Sequence, residues 1–405
     1  MANSFASTSL TATVGLLQNY YAGGVVTQFN DSIPWYKAIE KGSEKYQGLQ
    51  VVRAVKVRRN PGIGATSDGG SLPSIGTQTT VNATIAAKFN YLRFGLTGPM
   101  LKAAASSKNA FASIFDYEMK EGMNDMKSDV NRQFFWDGSG KIAQLNAAVS
   151  GSSVITVIGR DGANEEGSKY VDVGMVVDIY TSAGVLVASG LTINAVSGTT
   201  TATLTLSAVV TASSGDILVR SGAYGNEIQG LGYNIDGGTG TIYGINRTTY
   251  AAFQSTLSDL GAQALSLNGI QTPYNEARRL GDAKIDGVYS DFDTERFYNK
   301  LLIADKRYQG KVKGDGTFSD KNGSYLEWAG TPWVPDKDCP RRIFFLDSST
   351  WKKYVLSELE WADETGSYMI AQAGADAWEV RLRLFANLFC EKQRANSAAT
   401  NYISP

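Results

Sequence analysis

There is no histidine in the chain. That absence excludes Ser-His-Asp and Cys-His catalysis, His-ligated zinc and imidazole pH switches. Cysteine is nearly absent too. Cys339 and Cys390 stand alone, too few and too far apart for a metal signature or a disulfide framework. One long-loop disulfide remains open, but two reduced thiols in a protein made inside a cell is the preferred reading. Neither sign of charge is in excess, with 38 Lys and Arg against 39 Asp and Glu. A protein whose main work is to coat nucleic acid would carry a large basic surplus. No apolar run approaches the roughly 18 residues of a membrane span. The first basic residue is Lys37, so no secretory leader is expected.

What is present points to strands and loops. The 405 residues include 43 glycines and only 19% charged residues, enough chain for two or three domains. The first 30 residues carry no charge but hold the apolar anchors Phe5, Leu16, Leu17, Tyr20 and Tyr21. This stretch is too polar to form its own core and reads as an arm that packs on a neighbouring chain. Asp31 to Gly42 reads as a short helix or turn. Val51, Val55 and Val57 then mark one strand, and Val81, Ala83, Ile85, Ala87, Phe89 and Tyr91 alternate cleanly along its return strand. The tip between them, Asn60 to Thr80, is too long for a tight turn. A long two-stranded ribbon is marginal alone in water, so it must lie on its own chain or on another copy.

Leu101 to Trp136 predicts a long helix, with Phe111, Phe115, Met119, Met123, Met126, Val130 and Phe134 on one stripe. It stops at Asp137-Gly-Ser-Gly140. Residues 141–226 change character, for no charge lies between Asp178 and Asp216 and short β-branched runs follow one another. They predict a small all-β module, sandwich or barrel. Helices are expected at Thr248–Leu260, Thr272–Ile285 and Asp293–Arg307. A polar loop follows at Gln309 to Ser324, then strands at Arg342–Leu346 and Trp378–Phe389.

No motif builds a catalytic site. Gly140-Lys141 lacks the upstream glycine and downstream hydroxyl of a phosphate loop, so it reads as a helix-stop turn. Asp291, Asp293 and Glu295 read as a helix N-cap at Asp293 with a first-turn acid, rather than as a metal or acid–base pair. Asp161, Glu165 and Glu166 read as solvent-facing charge in a turn. Three glycosylation-like triplets, at Asn82, Asn246 and Asn322, are expected to be inert without a leader. Lys56, Arg58 and Arg59 form a basic run beside the ribbon tip. It could touch nucleic acid, pair with helix acids of another chain such as Asp116, Glu118, Glu121 and Asp125, or only keep a strand edge solvated. No metal and no cofactor is expected.

The order of elements, with Phe94-Gly-Leu-Thr-Gly-Pro99 closing the ribbon and Phe134-Phe-Trp-Asp-Gly-Ser-Gly140 closing the helix, resembles the major capsid proteins of tailed bacteriophages with the Hong Kong 97-type fold. Ile228-Gln-Gly-Leu-Gly232, Gly330-Thr-Pro-Trp-Val-Pro335, Arg342-Ile-Phe-Phe-Leu-Asp347 and Arg381-Leu-Arg-Leu-Phe385 add to the resemblance. It covers most of the chain outside 141–226. The resemblance implies an α+β fold with an N-terminal arm at 1–45, an extended loop at 46–98 and a spine helix with part of the peripheral domain at 99–140. An inserted β-barrel or sandwich would occupy 141–226, a return to the peripheral domain 227–246, an axial domain 247–347, and returning C-terminal strands 348–405. It implies a structural virion protein, not an enzyme, assembled in the host cytoplasm. Its partners would be copies of itself in hexamers and pentamers, a scaffolding protein and portal, packaged DNA held non-specifically and a decoration protein, with no membrane. Intersubunit contacts are expected at Phe5, Leu16, Tyr20, Tyr21, Lys56, Arg58, Arg59, Glu118 and Glu121. An encapsulin-like shell around cargo proteins, or a β-rich tail or adhesin protein, is the alternative.

Overall fold

The computed structural model describes residues 39–98, 108–306, 326–363, 369–372 and 374–405. The arm anchors Phe5, Leu16, Tyr20 and Tyr21, the expected helix start at Leu101 and the loop from Gln309 to Ser324 lie outside them. Of the helix or turn expected from Asp31 to Gly42 only residues 39–42 are described, and they hold the strand β1 (Glu40–Lys41). It is held to the chain by the Gly42 amide, which donates to Lys353 O at 2.9 Å.

Strands β2 (Gln50–Arg58) and β3 (Thr79–Ala86) form a two-stranded ribbon. The expected return strand from Val81 to Tyr91 divides at Ala87, and its second half is β4 (Lys88–Thr97). Alternation specifies faces and not partners, so one apolar pattern served two different pairings. The long helix α1 (Lys108–Phe135) follows; at ~1.5 Å per residue its 28 residues span about 42 Å. Met119, Met123, Met126, Val130 and Phe134 are buried along it, as the stripe requires. The helix comes down on β4 so closely that a Cβ on Gly122 would meet Leu92 at 2.8 Å.

Residues 141–220 close into a six-stranded barrel. Its strands are β5 (Lys141–Leu145), β6 (Val149–Gly159), β7 (Val176–Tyr180), β8 (Leu186–Ser197), β9 (Ala202–Ala212) and β10 (Ile217–Arg220). The order around the barrel is β10-β5-β6-β9-β8-β7. Closure leaves no free edge, which suits strands β8 and β9, which carry no charge to guard one. Ile155, Val157, Val177, Ile179, Ile193, Leu204 and Leu218 fill the interior. Two of the short β-branched runs, Val185–Ala188 and Thr192–Val196, join into one strand, β8, because Gly190 takes φ +68° and lets it bend without ending.

The chain continues through α2 (Leu231–Asn234), β11 (Thr241–Ile242), β12 (Ile245–Asn246) and a 3-10 turn at Ala251–Phe253. The helix expected at Thr248–Leu260 does not form. That stretch holds the 3-10 turn and β13 (Thr256–Ala264), which is drawn out by parallel pairing with a strand at the C-terminus. Long-range pairing overrides a weak helical pattern. Next come α3 (Leu267–Gly281), β14 (Gly287–Ser290), α4 (Phe292–Lys306), β15 (Glu327–Trp328), β16 (Thr331–Pro335) and β17 (Ile343–Leu346). The last strands are β18 (Trp351–Trp361), β19 (Ile370–Ala371), β20 (Ala377–Cys390) and β21 (Ser397–Ile403).

These elements fall into two compact units. One collects the described residues up to Val51 and those within Ala86–Arg132 and Lys353–Leu388. Its sheet runs β1-β18-β20-β19, with β4 also on β20 in antiparallel register from Ala377 opposite Thr97 to Ala386 opposite Lys88. The other unit collects Val52–Ile85, Gln133–Lys352 and Phe389–Pro405. It holds the ribbon, the barrel and a six-stranded sheet in the order β13-β21-β17-β14-β16-β15. The core of that sheet is aromatic: Tyr298 stacks on Trp333 with centroids 4.7 Å apart, and Phe345 meets Tyr274 edge-on at 5.9 Å.

Candidate interaction surfaces

The ribbon base lies on its own chain. Val55, Val57, Ala83 and Ile85 are buried, and the Thr84 amide donates to Tyr243 O at 2.9 Å. Arg53 pairs with Glu391 at 3.0 Å. The Arg58 guanidinium sits 5.4 Å over the Tyr250 ring and donates to Thr249 O at 3.4 Å. Lys56 and Arg59 are exposed beside it.

The ribbon tip has no such cover. Asn60 Oδ1 accepts from the Gly62 amide at 2.8 Å, and the two legs of the loop cross where a Cβ on Gly76 would approach Gly62 N to 2.6 Å. Beyond this neck, Ile63, Leu72 and Ile75 are 84%, 85% and 101% exposed. Each such side chain would gain about 1.5–3 kcal/mol on full burial. Asp68 is the single charge on the tip. The length of the tip alone did not point to these three side chains, which counting large apolar residues within the loop would have found.

A second apolar surface lies on the other unit's sheet. Phe89 and Tyr91, expected on one side of the ribbon's return strand, are exposed on β4. Both meet Phe385 edge-on, at 5.0 and 5.3 Å. Of the two helix acids expected at contacts, Glu121 is exposed on α1, while Glu118 is described in its backbone only.

The barrel is seated by a buried polar joint. Asp161 and Glu165 do not face solvent as expected; only Glu166 does. Arg160 is fully buried, pairs with Glu165 at 3.2 Å and donates to Asp338 O. Its guanidinium also lies 4.7 Å over both Trp136 and Tyr170. Lys169 donates to Glu165 at 2.8 Å and to Lys337 O at 2.6 Å. Tyr170 donates to Asp338 at 3.1 Å, and the Arg341 amide donates to Asp161 at the same distance. Burial pushes the Glu165 carboxyl up, but Arg160 and Lys169 outweigh it and hold it below its ordinary range. Burial wins at Asp161, which lies above its ordinary value despite Arg342 and the Arg341 amide. A lone arginine after an apolar strand was the available signal for this joint.

The remaining chemistry-bearing residues have structural work. Asp291, not Asp293, caps α4, accepting from the Thr294 amide at 3.3 Å. The helix starts one residue earlier than expected, which frees Asp293 to pair with Arg296 at 2.9 Å and Arg341 at 3.4 Å. Cys339 and Cys390 are both free and buried. Burial pushes the Cys390 thiol up to about 12 and Cys339 well above its usual value, so neither is poised as a nucleophile. Among the described residues no three of Cys, Asp and Glu gather to hold a metal, and no helix is long and apolar enough to cross a membrane.

No family profile and no curated protein sequence matches the chain. Solved structures do. The capsid protein in the cyanophage A-1(L) capsid asymmetric unit is similar at TM-score 0.56 and 12% identity, over 91% of this chain and 92% of that one. The capsid of an empty GTA particle follows at TM-score 0.48 and 10% identity, over 91% and 90%. The SrpI encapsulin complex of Synechococcus elongatus follows at 0.44 and 8%, over 91% and 88%. The first of these carries the fold: the chain has the α+β fold of a phage capsid protein along nearly its whole length.

Proposed function

We propose that the chain is the major capsid protein of a tailed bacteriophage, a structural protein that assembles into hexamers and pentamers of an icosahedral shell around double-stranded DNA. The observation that carries this reading is the fold shared with the cyanophage capsid protein over 91% of the chain, joined to a ribbon whose tip holds three bare apolar side chains. A tip with Ile63, Leu72 and Ile75 in water is suited to a neighbour's surface. In this reading the ribbon is the extended loop, α1 the spine helix and the β13–β17 sheet the axial domain. The uncharged arm, with Phe5, Leu16, Tyr20 and Tyr21, meets the same neighbours.

The barrel is then an insertion. Its root is narrow: the Gly225 amide donates to Ser139 O at 3.2 Å, just outside the first and last strands. An insertion requires its ends to lie together in this way. On the particle the barrel faces outward, where a decoration protein could reach it.

Negative-stain micrographs of the purified full-length chain, expressed with a scaffolding protein from the same source, test the reading. Closed isometric shells with hexameric and pentameric capsomers are expected, and native particles should protect DNA from nuclease. Sedimentation as a monomer under all assembly conditions would overturn the proposal. Shells that protect proteins and no DNA would favour an encapsulin-like container.

A further inference from the structure

The chain is balanced overall, but its charges are not evenly spread. Segments 53–59, 276–284 and 391–394 together carry nine cations and three carboxylates. The fold brings these segments side by side. Arg53 pairs with Glu391 at 3.0 Å, joining the ribbon base to the turn that follows β20. Arg58 rests on Tyr250, and Arg394 donates twice to Ala251 O, at 3.1 and 2.8 Å. The C-terminal turn of α3 closes the group, since a Cβ on Gly281 would meet Arg394 O at 2.2 Å. The stretch 249–253 that lies among them is uncharged.

One of the three carboxylates, Glu391, is taken by Arg53, which leaves Glu276 and Asp282 at the end of α3. Arg59, Arg278, Arg279 and Lys392 are exposed. Six of the nine cations are arginine, whose planar fork matches phosphate oxygens two at a time. Leu280 is the single large apolar side chain exposed in these segments. A protein partner would need an apolar centre here; a phosphate backbone needs only the cations.

We infer that this surface, formed by the ribbon base, the end of α3 and the turn after β20, binds the phosphate backbone of double-stranded DNA. The choice of DNA as the polyanion rests on the shell reading above. The overall balance of charge agrees with it: a local patch holds duplex without regard to sequence, while the rest of the chain does not adhere.

Fluorescence anisotropy of a labelled mixed-sequence duplex with the unassembled full-length chain tests the inference. Binding should weaken linearly in log–log form between about 50 and 200 mM salt, with a slope of about −0.9 per phosphate contacted. Reversing three exposed cations together, Arg59→Glu, Arg279→Glu and Lys392→Glu, should weaken binding at least roughly tenfold and reduce the slope by about 2.7. Lys120→Glu, on α1, should change neither. If circular dichroism finds the triple variant unfolded, Arg279→Gln with Lys392→Gln should still lower the slope by about 1.8. An absence of binding at low salt, or an unchanged slope in the folded variants, would overturn the inference. So would displacement by poly-glutamate as effective as displacement by unlabelled duplex, which would mark an acidic protein as the occupant. Micrographs keep the two proposals apart: shells without duplex binding would sink this one alone, and duplex binding without shells would sink the shell.

Discussion

Arg160, at the end of a barrel strand, lies with its guanidinium 4.7 Å over the ring of Trp136, the residue that follows the long helix. The barrel is therefore seated on the helix end by a cation held in place by Glu165 and Asp338. Desolvating an arginine is costly, and this one is offset by an ion pair, a carbonyl and two aromatic faces. Such a joint fixes one orientation, which a smooth apolar contact would not.

Arg160→Ala removes the main partner of a buried carboxylate. Loss of one member of a buried pair costs about 3–5 kcal/mol, and the lower end is expected because Lys169 also reaches Glu165. Denaturant titration measures this. Arg160→Met combined with Glu165→Leu should recover much of the loss, and a single-variant loss under about 1 kcal/mol, the worth of an exposed pair, would count against a load on this joint.

Acid should loosen the same joint. The Glu165 carboxyl lies below its ordinary value in the folded chain. Its contribution is therefore complete above the ordinary carboxylate range and is lost as pH falls through the depressed value. Asp161 is raised, so its sign is opposite: its contribution is present at low pH and lost as pH rises through the raised value. Melting temperatures followed from neutral to acid pH should fall less steeply for Glu165→Gln than for the parent chain. Asp161→Asn should gain most at neutral pH. Parallel profiles for all three proteins would refute both assignments.

Gly230 allows the chain leaving the barrel to close on the helix end. A Cβ there would meet Phe134 O at 2.3 Å and Gln133 O at 2.4 Å, both backbone atoms. Gly230→Ala is expected to cost about 1–3 kcal/mol in thermal unfolding. Gly95→Ala, whose Cβ would have an ordinary 3.7 Å contact, should stay within about 0.5 kcal/mol. Equal effects at the two sites would contradict the close approach.

The ribbon tip separates folding from assembly. Ile63→Asp with Ile75→Asp changes two side chains that are 84% and 101% exposed, so unfolding should shift by less than about 0.5 kcal/mol. Light scattering and micrographs should nevertheless register a loss of shells. Normal assembly by this variant would remove the tip from the set of contacts.

The helix and the barrel were legible because their patterns are local. The Met119–Met123–Met126–Val130 stripe repeats at helical spacing, and the uncharged β-branched runs with turns between them could form only a β-module. Its closure into a barrel rather than a sandwich was not legible, since β10 reaches both β5 and β7 only in three dimensions. The strand break at Ala87 and the strand in place of a helix at Thr256 share that cause. Each was settled by a partner distant in the chain, and no nearby residue announces such a partner.

By itself the sequence excluded histidine chemistry, placed the long helix and the β-module, and carried a resemblance whose α+β fold the cyanophage capsid structure shares. Composition and periodicity suffice for that, because they act residue by residue along the chain. Tertiary structure alone decided what the charges do. Glu165 read as solvent-facing turn charge and became, with Arg160, a buried joint, while Arg58, Arg279 and Arg394 stand far apart in sequence and share one surface. A charge acts through space on whatever the fold brings near, and that is information no local pattern holds.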